Sequence, residues 1–347
     1  MLPAQVSELF ERQARAGEDL GSPFTAVLCR TLAGVVDDGT ATGRRIIGWQ
    51  GDARAALVVT RLCGGLHRLV LSGMDDELRA AYPPNKVADA ELARALSRAI
   101  ERHDRLLHDW LDSAPQTNEI ARSAMLLPGF LTIAHESGLP LALCEIGSSA
   151  GLNLLFDRFS YSYGDAAWGD RASPVHLAPQ IKGNVPPLEG MLAVRSRAGC
   201  DIAPVDIVSE EGRMRLRSYV WPDQPERLRR LDGALALAEQ HPVAVAKADA
   251  GEFVRAKLAQ RSTGEAFVVF HSIMWQYMPR QTKDGILAAL SEAGREASTA
   301  APLYRLRMEP RDPQDGWATL SLTTWPGGET RRLAKCDFHG RWIEWQG

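Results

Sequence analysis

The segment that most constrains the fold is 141–155, LALCEIGSSAGLNLL, in which an apolar run leads to an acid, a glycine-containing turn and a second apolar run. A short apolar run that ends near glycine is typical of a buried parallel strand followed by a tight turn into a helix. Gly147 and Gly151 allow the backbone to turn sharply and to approach a ligand closely. The segment therefore predicts a ligand site, with Glu145 at the strand end and the N–H groups of the next helix facing the ligand.

The acid at this turn bears on which ligand would fit. A dinucleotide would place its pyrophosphate among the N–H groups, and the Glu145 carboxylate would repel it. The spacing of Gly147 and Gly151 lacks the third glycine of the dinucleotide fingerprint, and no Gly-Lys-Ser/Thr follows. We therefore expect a ligand with hydroxyl groups and a cationic centre, which an acid would attract.

Two other interpretations of the same turn stay open. Residues 147–151 also match Gly-x-Ser-x-Gly, the nucleophile turn of α/β-hydrolases, with Ser149 as nucleophile and Asp249 and His271 as triad partners in a permitted order. That fold places several strands before the turn, whereas the preceding chain reads as helical. In the third interpretation the glycines serve packing alone, and the turn binds nothing.

The composition is typical of a globular protein and favours small-molecule chemistry. Of 347 residues, 45% are hydrophobic and 24% are charged, and the formal net charge is −3, so we expect no general nucleic-acid binding. The five cysteines form no Cys-x-x-Cys pair, and no basic leader or uncharged membrane-length run occurs. These features predict a cytoplasmic protein without a membrane segment or metal site, and they leave the oligomeric state open.

Hydrophobic periodicity divides the chain after residue 138. Residues 1–138 have apolar positions at threes and fours, which predicts an α-helical N-terminal domain that could form a cap. Residues 139–347 alternate β-rich runs with helices and end in two runs joined by glycines, which predicts a Rossmann-like, doubly wound α/β domain with a C-terminal antiparallel hairpin. The predicted strands are 141–145, 192–197, 243–247, 267–271, 303–308, 318–325 and 333–345.

This order of elements resembles the class I S-adenosylmethionine-dependent methyltransferases, from the Glu145-x-Gly147 turn to the final hairpin. The sheet of that family has seven strands, of which the last is antiparallel. Over nearly its whole length the chain is also similar to a bacterial family known only as a domain of unknown function. The stretches that carry this second resemblance are CEIGSSAGLNLL, RAGCDIAPVDI, YVWPDQPERLRRL, VVFHSIMWQY and FHGRWIEW.

The methyltransferase resemblance implies bound S-adenosylmethionine. Asp201, or Asp206 as the alternative, would accept hydrogen bonds from the ribose hydroxyls, and Asp249 would face the adenine amino group. Asp201 lies much farther beyond the first strand than the roughly 20 residues usual in such folds, so residues 159–189 must form an insertion. The residues placed around the methionine and ribose parts of the cofactor are Glu145, Gly147, Ser148, Ser149, Gly151 and Asn153.

The same resemblance implies a substrate pocket after the fourth strand of the domain. His271 would act there as a base, because an imidazole can accept the proton that an O or N nucleophile loses on methylation. The implied function is methyl transfer to a small acceptor that the sequence does not identify, with a non-catalytic methyltransferase-like binding protein as the remaining alternative. The predicted substrate-binding residues are Ser272, Trp275, Tyr277 and, from the insertion, Tyr161 and Trp168.

Overall fold

Two compact units make up the chain in the computed structural model, which describes residues 2–312 and 314–347. The first unit holds the described residues as far as Thr117, together with Ile207–Arg229. The second unit holds Asn118–Asp206 and Arg230–Gly347. The boundary therefore lies before the last helix of the predicted N-terminal domain, and a stretch from the middle of the chain belongs to the helical unit.

The first unit consists of helices, and the second unit has helices of its own beside its sheets. In chain order they are α1 (Ala4–Asp19), α2 (Pro23–Val35), α3 (Ala41–Ile47), α4 (Val58–Leu71), α5 (Asp76–Ala80), α6 (Asp89–Arg102), α7 (Asp104–Trp110), α8 (Ser123–Ser137), α9 (Glu210–Ser218), α10 (Pro225–Gln240), α11 (Ala250–Leu258) and α12 (Arg280–Arg295). Short 3₁₀ segments lie at Ile120–Arg122, Leu152–Arg158 and Trp275–Tyr277.

The helical unit includes the segment 207–229, and side chains anchor this segment there. Tyr219 lies against Gly64 of α4, where an added Cβ would come within 2.5 Å of the tyrosine ring. The Tyr219 hydroxyl also donates to the carbonyl oxygen of Ser113 at 2.8 Å. Arg68 of α4 forms an ion pair with Glu211 of α9. The segment is therefore part of the packing of this unit rather than a free connection.

The second unit contains a nine-stranded mixed sheet and a separate three-stranded sheet. The strand order of the large sheet is β5-β12-β11-β10-β9-β8-β1-β6-β7, and that of the small sheet is β3-β2-β4. In chain order the strands are β1 (Leu141–Ile146), β2 (Ser160–Tyr163), β3 (Ala166–Trp168), β4 (His176–Leu177), β5 (Gln180–Gly183), β6 (Val194–Asp201), β7 (Val245–Lys247), β8 (Ala266–Ser272), β9 (Leu303–Glu309), β10 (Ala318–Trp325), β11 (Glu329–Cys336) and β12 (Trp342–Trp345).

The large sheet is parallel in one part and antiparallel in the other. From β9 through β8, β1 and β6 to β7 all neighbours are parallel, whereas β9, β10, β11 and β12 pair antiparallel in succession. The predicted mixed α/β class and the C-terminal hairpin, β10–β11, are confirmed; the last predicted run is divided between β11 and β12. Because β1 lies between β6 and β8, the strand order reverses there, and the carboxyl ends of these strands form the switch point at which such sheets bind ligands.

The two faces of β1 pack against different helices. Ala142, Cys144 and Ile146 pack with residues of α11 and α12 in one apolar cluster. Glu145 pairs in register with Phe270 of β8, whose ring packs edge-on against a phenylalanine of α8 with centroids 5.1 Å apart. Since side chains alternate between the faces of a sheet, Glu145 points to the α8 face.

The element after β1 differs from the sequence prediction. The sequence predicts a helix directly after the turn, whereas the chain forms the 3₁₀ segment Leu152–Arg158, which is kinked at Leu155 (φ −96°, ψ 16°). Every residue from Leu152 to Phe156 is buried. The segment has no polar stripe of the kind that an amphipathic surface helix presents to water, and periodicity could not reveal its conformation.

The predicted insertion, 159–189, contributes to both sheets. Its first strands, β2 to β4, form the small sheet, and β5 extends the large sheet beside β12. The turn from β2 to β3 and the end of β3 are tight: Gly164 and Gly169 have φ values of 63° and 87°.

These two glycines allow a matched test of backbone packing. Alanine at Gly164 meets nothing within 4 Å and should lower the free energy of unfolding by about 1 kcal/mol, the usual cost of a left-handed residue. Alanine at Gly169 would also bring its Cβ to 2.1 Å from the carbonyl oxygen of Phe159, and should cost roughly 3 kcal/mol or more. Urea unfolding of both variants measures the difference, and equal losses would contradict the close approach at Gly169.

Candidate functional site

The turn after β1 lies at the switch point and carries most of the predicted cofactor-binding residues. Its backbone is left-handed at Gly147 (φ 68°), Ser149 (φ 54°) and Gly151 (φ 74°). A positive φ at Ser149 is costly for a residue with a side chain, so the surrounding bonds must hold it. The turn is thus a rigid loop that follows directly on the buried Glu145.

Several backbone N–H groups of the turn already have partners within this unit. The N–H groups of Ser148 and Gly151 donate to the carbonyl oxygens of Cys200 (3.0 Å) and Ser148 (2.8 Å), and Leu152 N–H donates to Asn118 Oδ1 at 2.9 Å. The Ser148 hydroxyl donates to the Glu145 carbonyl at 3.0 Å. These donors already have partners, and a 3₁₀ segment rather than an α-helix follows the turn, so the contact between N–H groups of the next helix and a ligand stays a prediction.

Asp201, at the end of β6, is tied to this turn. Its Oδ2 accepts from Ser149 N–H at 2.9 Å, and its Oδ1 accepts from Ala203 N–H at 2.9 Å. The carbonyl oxygen of Ser149 in turn accepts from Val205 N–H at 3.1 Å. The structure thus brings together the acid and the turn that the resemblance pairs, although they are far apart in sequence, and Asp206 is exposed beyond them.

Glu145 is a buried acid of the site, and one of its carboxyl oxygens lacks a hydrogen-bond partner among the described residues. Its side chain is 3% exposed, and its Oε2 has no hydrogen-bond partner among the described residues. Burial raises the pKa of this carboxyl to about 8, against the smaller opposing effects of Ser148 and Arg122. The Oγ of Ser149 is also buried without a hydrogen-bond partner in the described part of the chain. Buried polar atoms of this kind normally have partners, so both atoms are available to a ligand.

The space above Gly147 is filled by a flexible side chain. A Cβ added at Gly147 would lie 2.8 Å from Cε of Met274, which follows β8. Methionine has several rotatable bonds and adapts its shape easily, so this contact can open without a change in the backbone. A ligand that approaches Gly147 must displace Met274.

His271 lies on the sheet face opposite to Glu145, because Glu145 is in register with Phe270. The ring is fully buried; its Nδ1 is 2.7 Å from Glu309 Oε1, and its Nε2 is 3.1 Å from Nη2 of Arg305. Arg305 can only donate, so Nε2 accepts and Nδ1 carries the proton. Burial lowers the pKa of His271. With both nitrogens engaged, the ring has no lone pair open to a substrate, and a base role stays a prediction that would require Arg305 to move away.

Ser149 likewise has no imidazole partner in the described residues, since its Oγ makes no hydrogen bond there. A serine nucleophile needs an adjacent base to remove its proton. The described geometry therefore lacks the serine–histidine contact of the hydrolase interpretation.

Two of the predicted cofactor-binding residues serve local structure. Asn153 Oδ1 accepts from the Ser123 hydroxyl at 2.8 Å, which fixes the 3₁₀ segment to the start of α8. Asp249, directly after β7, caps α11 by accepting from Gly251 N–H at 2.8 Å and Glu252 N–H at 3.2 Å. Its Oδ2 has one long contact, 3.4 Å, with the hydroxyl of Thr282.

The predicted substrate-binding residues occupy different environments. Ser272 is buried at the end of β8, and the Trp275 ring stacks on His271 with centroids 5.0 Å apart. Tyr277 is 74% exposed. Tyr161 is 1% exposed and its hydroxyl donates to Phe156 O at 2.6 Å, so it is part of the packed interior, with the half-buried Trp168 edge-on against it.

Sequence reasoning missed Glu309 and Arg305, which hold His271 from β9. Their signal is present in LYRLRME, residues 303–309, where charged side chains recur at every second position of an otherwise apolar strand. Such alternation places them all on one face.

The chain matches a family model, and its described residues include neither a candidate metal site nor a membrane-length helix. Among the described residues, no group of three His, Cys, Asp or Glu side chains could hold a metal ion, and no helix combines the length and apolarity needed to cross a bilayer. The model of a family described as uncharacterized protein conserved in bacteria (DUF2332) matches residues 7–345. No curated protein and no solved structure matches the chain.

The buried carboxyl predicts an inverted pH dependence of stability. Between its unfolded pKa of 4.5 and its folded pKa of about 8, Glu145 is charged when unfolded and neutral when folded, so folding becomes less favourable as pH rises. Glu145→Gln, which is neutral in both states, should equal the wild type near pH 4.5 and exceed its free energy of unfolding by at most about 3 kcal/mol at neutral pH.

Urea unfolding at acid and neutral pH measures this gain. The control is Glu136→Gln, which removes the partner of Arg331 from the surface of α8 and should gain no stability with pH. A Glu145→Gln variant that is less stable than the wild type at neutral pH would mean that the carboxyl is ionised and paired.

Proposed function

The chain belongs to the bacterial family DUF2332, and we propose that it is an S-adenosylmethionine-dependent methyltransferase acting on an O or N nucleophile of a small molecule. We place this activity in the cytoplasm, where its five free cysteines would remain reduced. The observation that carries the proposal is the buried, unpartnered Oε2 of Glu145 beside a left-handed turn at the switch point of the sheet.

The residues at the turn fit an adenosyl group with a cationic sulfur. The Glu145 carboxyl can accept a hydrogen bond from an amino group or balance a positive charge, and the Ser149 hydroxyl is free to donate or accept. Each Asp201 oxygen accepts one N–H, which leaves a second lone pair for ribose hydroxyls. Displacement of Met274 would expose Gly147 to the ligand.

When bound, S-adenosylmethionine supplies an activated methyl group, and the protein supplies binding and alignment. The rigid turn would fix the cofactor because its own hydrogen bonds hold its left-handed residues in place. We assign no base, because both ring nitrogens of His271 already have hydrogen-bond partners in Glu309 and Arg305. The proposal therefore requires an acceptor that is nucleophilic without proton removal by this imidazole.

Titration calorimetry with S-adenosylmethionine tests the binding step. The wild type should bind one equivalent, and Asp201→Asn, which replaces one carboxylate acceptor by a donor, should bind about tenfold more weakly. Asp206→Asn removes a nearby exposed carboxylate and is the matched control, with affinity expected to be unchanged. Absence of heat for the wild type at millimolar ligand, or equal losses in the two variants, would overturn the assignment.

The raised pKa of Glu145 also predicts that binding is linked to proton release. A cationic ligand favours the carboxylate, so at pH below about 8 the carboxyl must lose its proton on binding. The association constant should rise by about tenfold per pH unit up to this value and level off above it. Calorimetry in buffers of different ionisation enthalpy should show the released proton.

Glu145→Gln is the control for this linkage because the ionisation of the ligand itself affects the wild type and the variant equally. The pH dependence that remains in the variant belongs to the ligand, and the difference belongs to Glu145. Parallel pH profiles for wild type and variant would show that Glu145 does not contact the charged part of the ligand.

A further inference from the structure

A pair of arginines on β9 stands apart from the turn at β1. Arg305 and Arg307 are two residues apart on one strand, so both lie on the face that carries His271, opposite to Glu145. In register, Arg307 lies between His271 of β8 and Ser321 of β10. This puts two guanidinium groups beside a buried hydroxyl on one face of the sheet.

Arg307 is half-buried and lacks a counter-charge in contact. Within residues 2–312 and 314–347, no hydrogen bond or ion pair reaches its guanidinium. Burial lowers the pKa of Arg307, with a smaller opposing effect from Glu309. A partly desolvated charge without a counter-charge is unfavourable, so this arrangement favours an external anion.

Arg305 is more deeply buried and fixed in position. It is 5% exposed, its Nη2 donates to His271 Nε2 at 3.1 Å, and its guanidinium carbon lies 4.3 Å from the centre of the Trp275 ring. Its Nε is buried without a hydrogen-bond partner in the described chain. Burial and, to a smaller extent, the charge of the neighbouring Arg307 lower the pKa of Arg305 to about 10.

Glu309 does not neutralise this pair. Its Oε1 is shared by three donors: His271 Nδ1 at 2.7 Å, Met274 N–H at 3.1 Å and Trp275 N–H at 3.2 Å. Its Oε2 is buried without a partner among the described residues. The exposed Arg311 adds a further positive charge near Arg307, so the cluster has more cations than anions.

We propose that Arg305 and Arg307 form a binding site for an oxyanion, a carboxylate or a phosphate, on the His271 face of the sheet. Guanidinium groups bind both anions through parallel N–H···O bonds, and the Ser321 hydroxyl beside Arg307 can add a further donor. The site does not depend on the adenosyl proposal, because it uses different residues on the other face.

Calorimetric titration with inorganic phosphate and, separately, with acetate at constant ionic strength tests the site. We expect saturable binding of at least one anion, and the tighter of the two identifies the class of ligand. Arg307→Met should weaken this binding about tenfold or more, because it removes a charged guanidinium group that can form two parallel hydrogen bonds. Arg307→Lys should bind with intermediate affinity, because lysine keeps the positive charge but lacks the two parallel N–H donors of the guanidinium group.

The matched control is Arg331→Met on β11. Arg331 is in register with Leu322, so it lies on the opposite face from Arg307, and it pairs with Glu136. This variant loses the same charge but should keep the wild-type anion affinity within about twofold. Equal weakening in both methionine variants would reveal a general surface effect and overturn the proposal.

A thermal readout separates binding from support of the fold. Without anion, Arg307→Met should melt at a higher temperature than the wild type, because an unpaired buried charge is gone, and added phosphate should no longer raise its melting temperature. The proposal fails if no anion binds saturably below about 50 mM. It also fails if Arg307→Met melts lower while it keeps the wild-type anion affinity.

Discussion

The burial of the Glu145 carboxyl at the end of the central strand is the constraint on which the switch point depends. β1 is buried along its whole length, so a charge at its end would face protein on every side. Asp201 lies close enough to raise the pKa of Glu145 further, yet its own oxygens accept two backbone N–H groups. One acid is thus a fixed acceptor that shapes the turn, while burial favours the neutral form of the other.

The sheet register separates the chemistry of this unit into two faces. Glu145 and the side chains toward α8 lie on one face, and His271 with the charged residues of β9 lies on the other. Residues that follow successive strands are expected near one edge of the sheet. Whether two of them share a face depends on whether an even or an odd number of residues separates their positions in the strand register. His271 and Glu145 could touch one ligand only if that ligand extended around the strand ends. Met274 and Trp275, whose N–H groups donate to Glu309, follow β8 at the strand ends around which such a ligand would extend.

Local sequence patterns were sufficient for β1, for β6 to β10 and for the turn, but they did not predict the strands β2 to β5 of the insertion, and they were insufficient where distant contacts decide. The apolar run before Gly147 and the glycine-linked hairpin identify their elements because burial and turn geometry leave few alternatives. Asp201 was found only through the family resemblance, since its bond to Ser149 joins strands that are far apart in sequence. The 3₁₀ segment after β1 was missed because its first five residues are all buried and leave no periodic polar face. The same limit applies to Arg305, whose role depends on partners from β8 and the following loop.

The path of the chain also determines how the sheet unit can be obtained alone. The chain leaves the sheet unit after Asp206, contributes α9 to the helical unit, and returns at Arg230. A simple deletion of the first 117 residues would therefore leave Ile207–Arg229 without the helices it packs against, and Tyr219 would lose its contact with Gly64. Isolation of the sheet unit needs a second excision, of Ile207–Arg229, with a new short linker between β6 and the rest of α10. The two units are thus interleaved in the sequence, so a single terminal truncation cannot yield either unit whole.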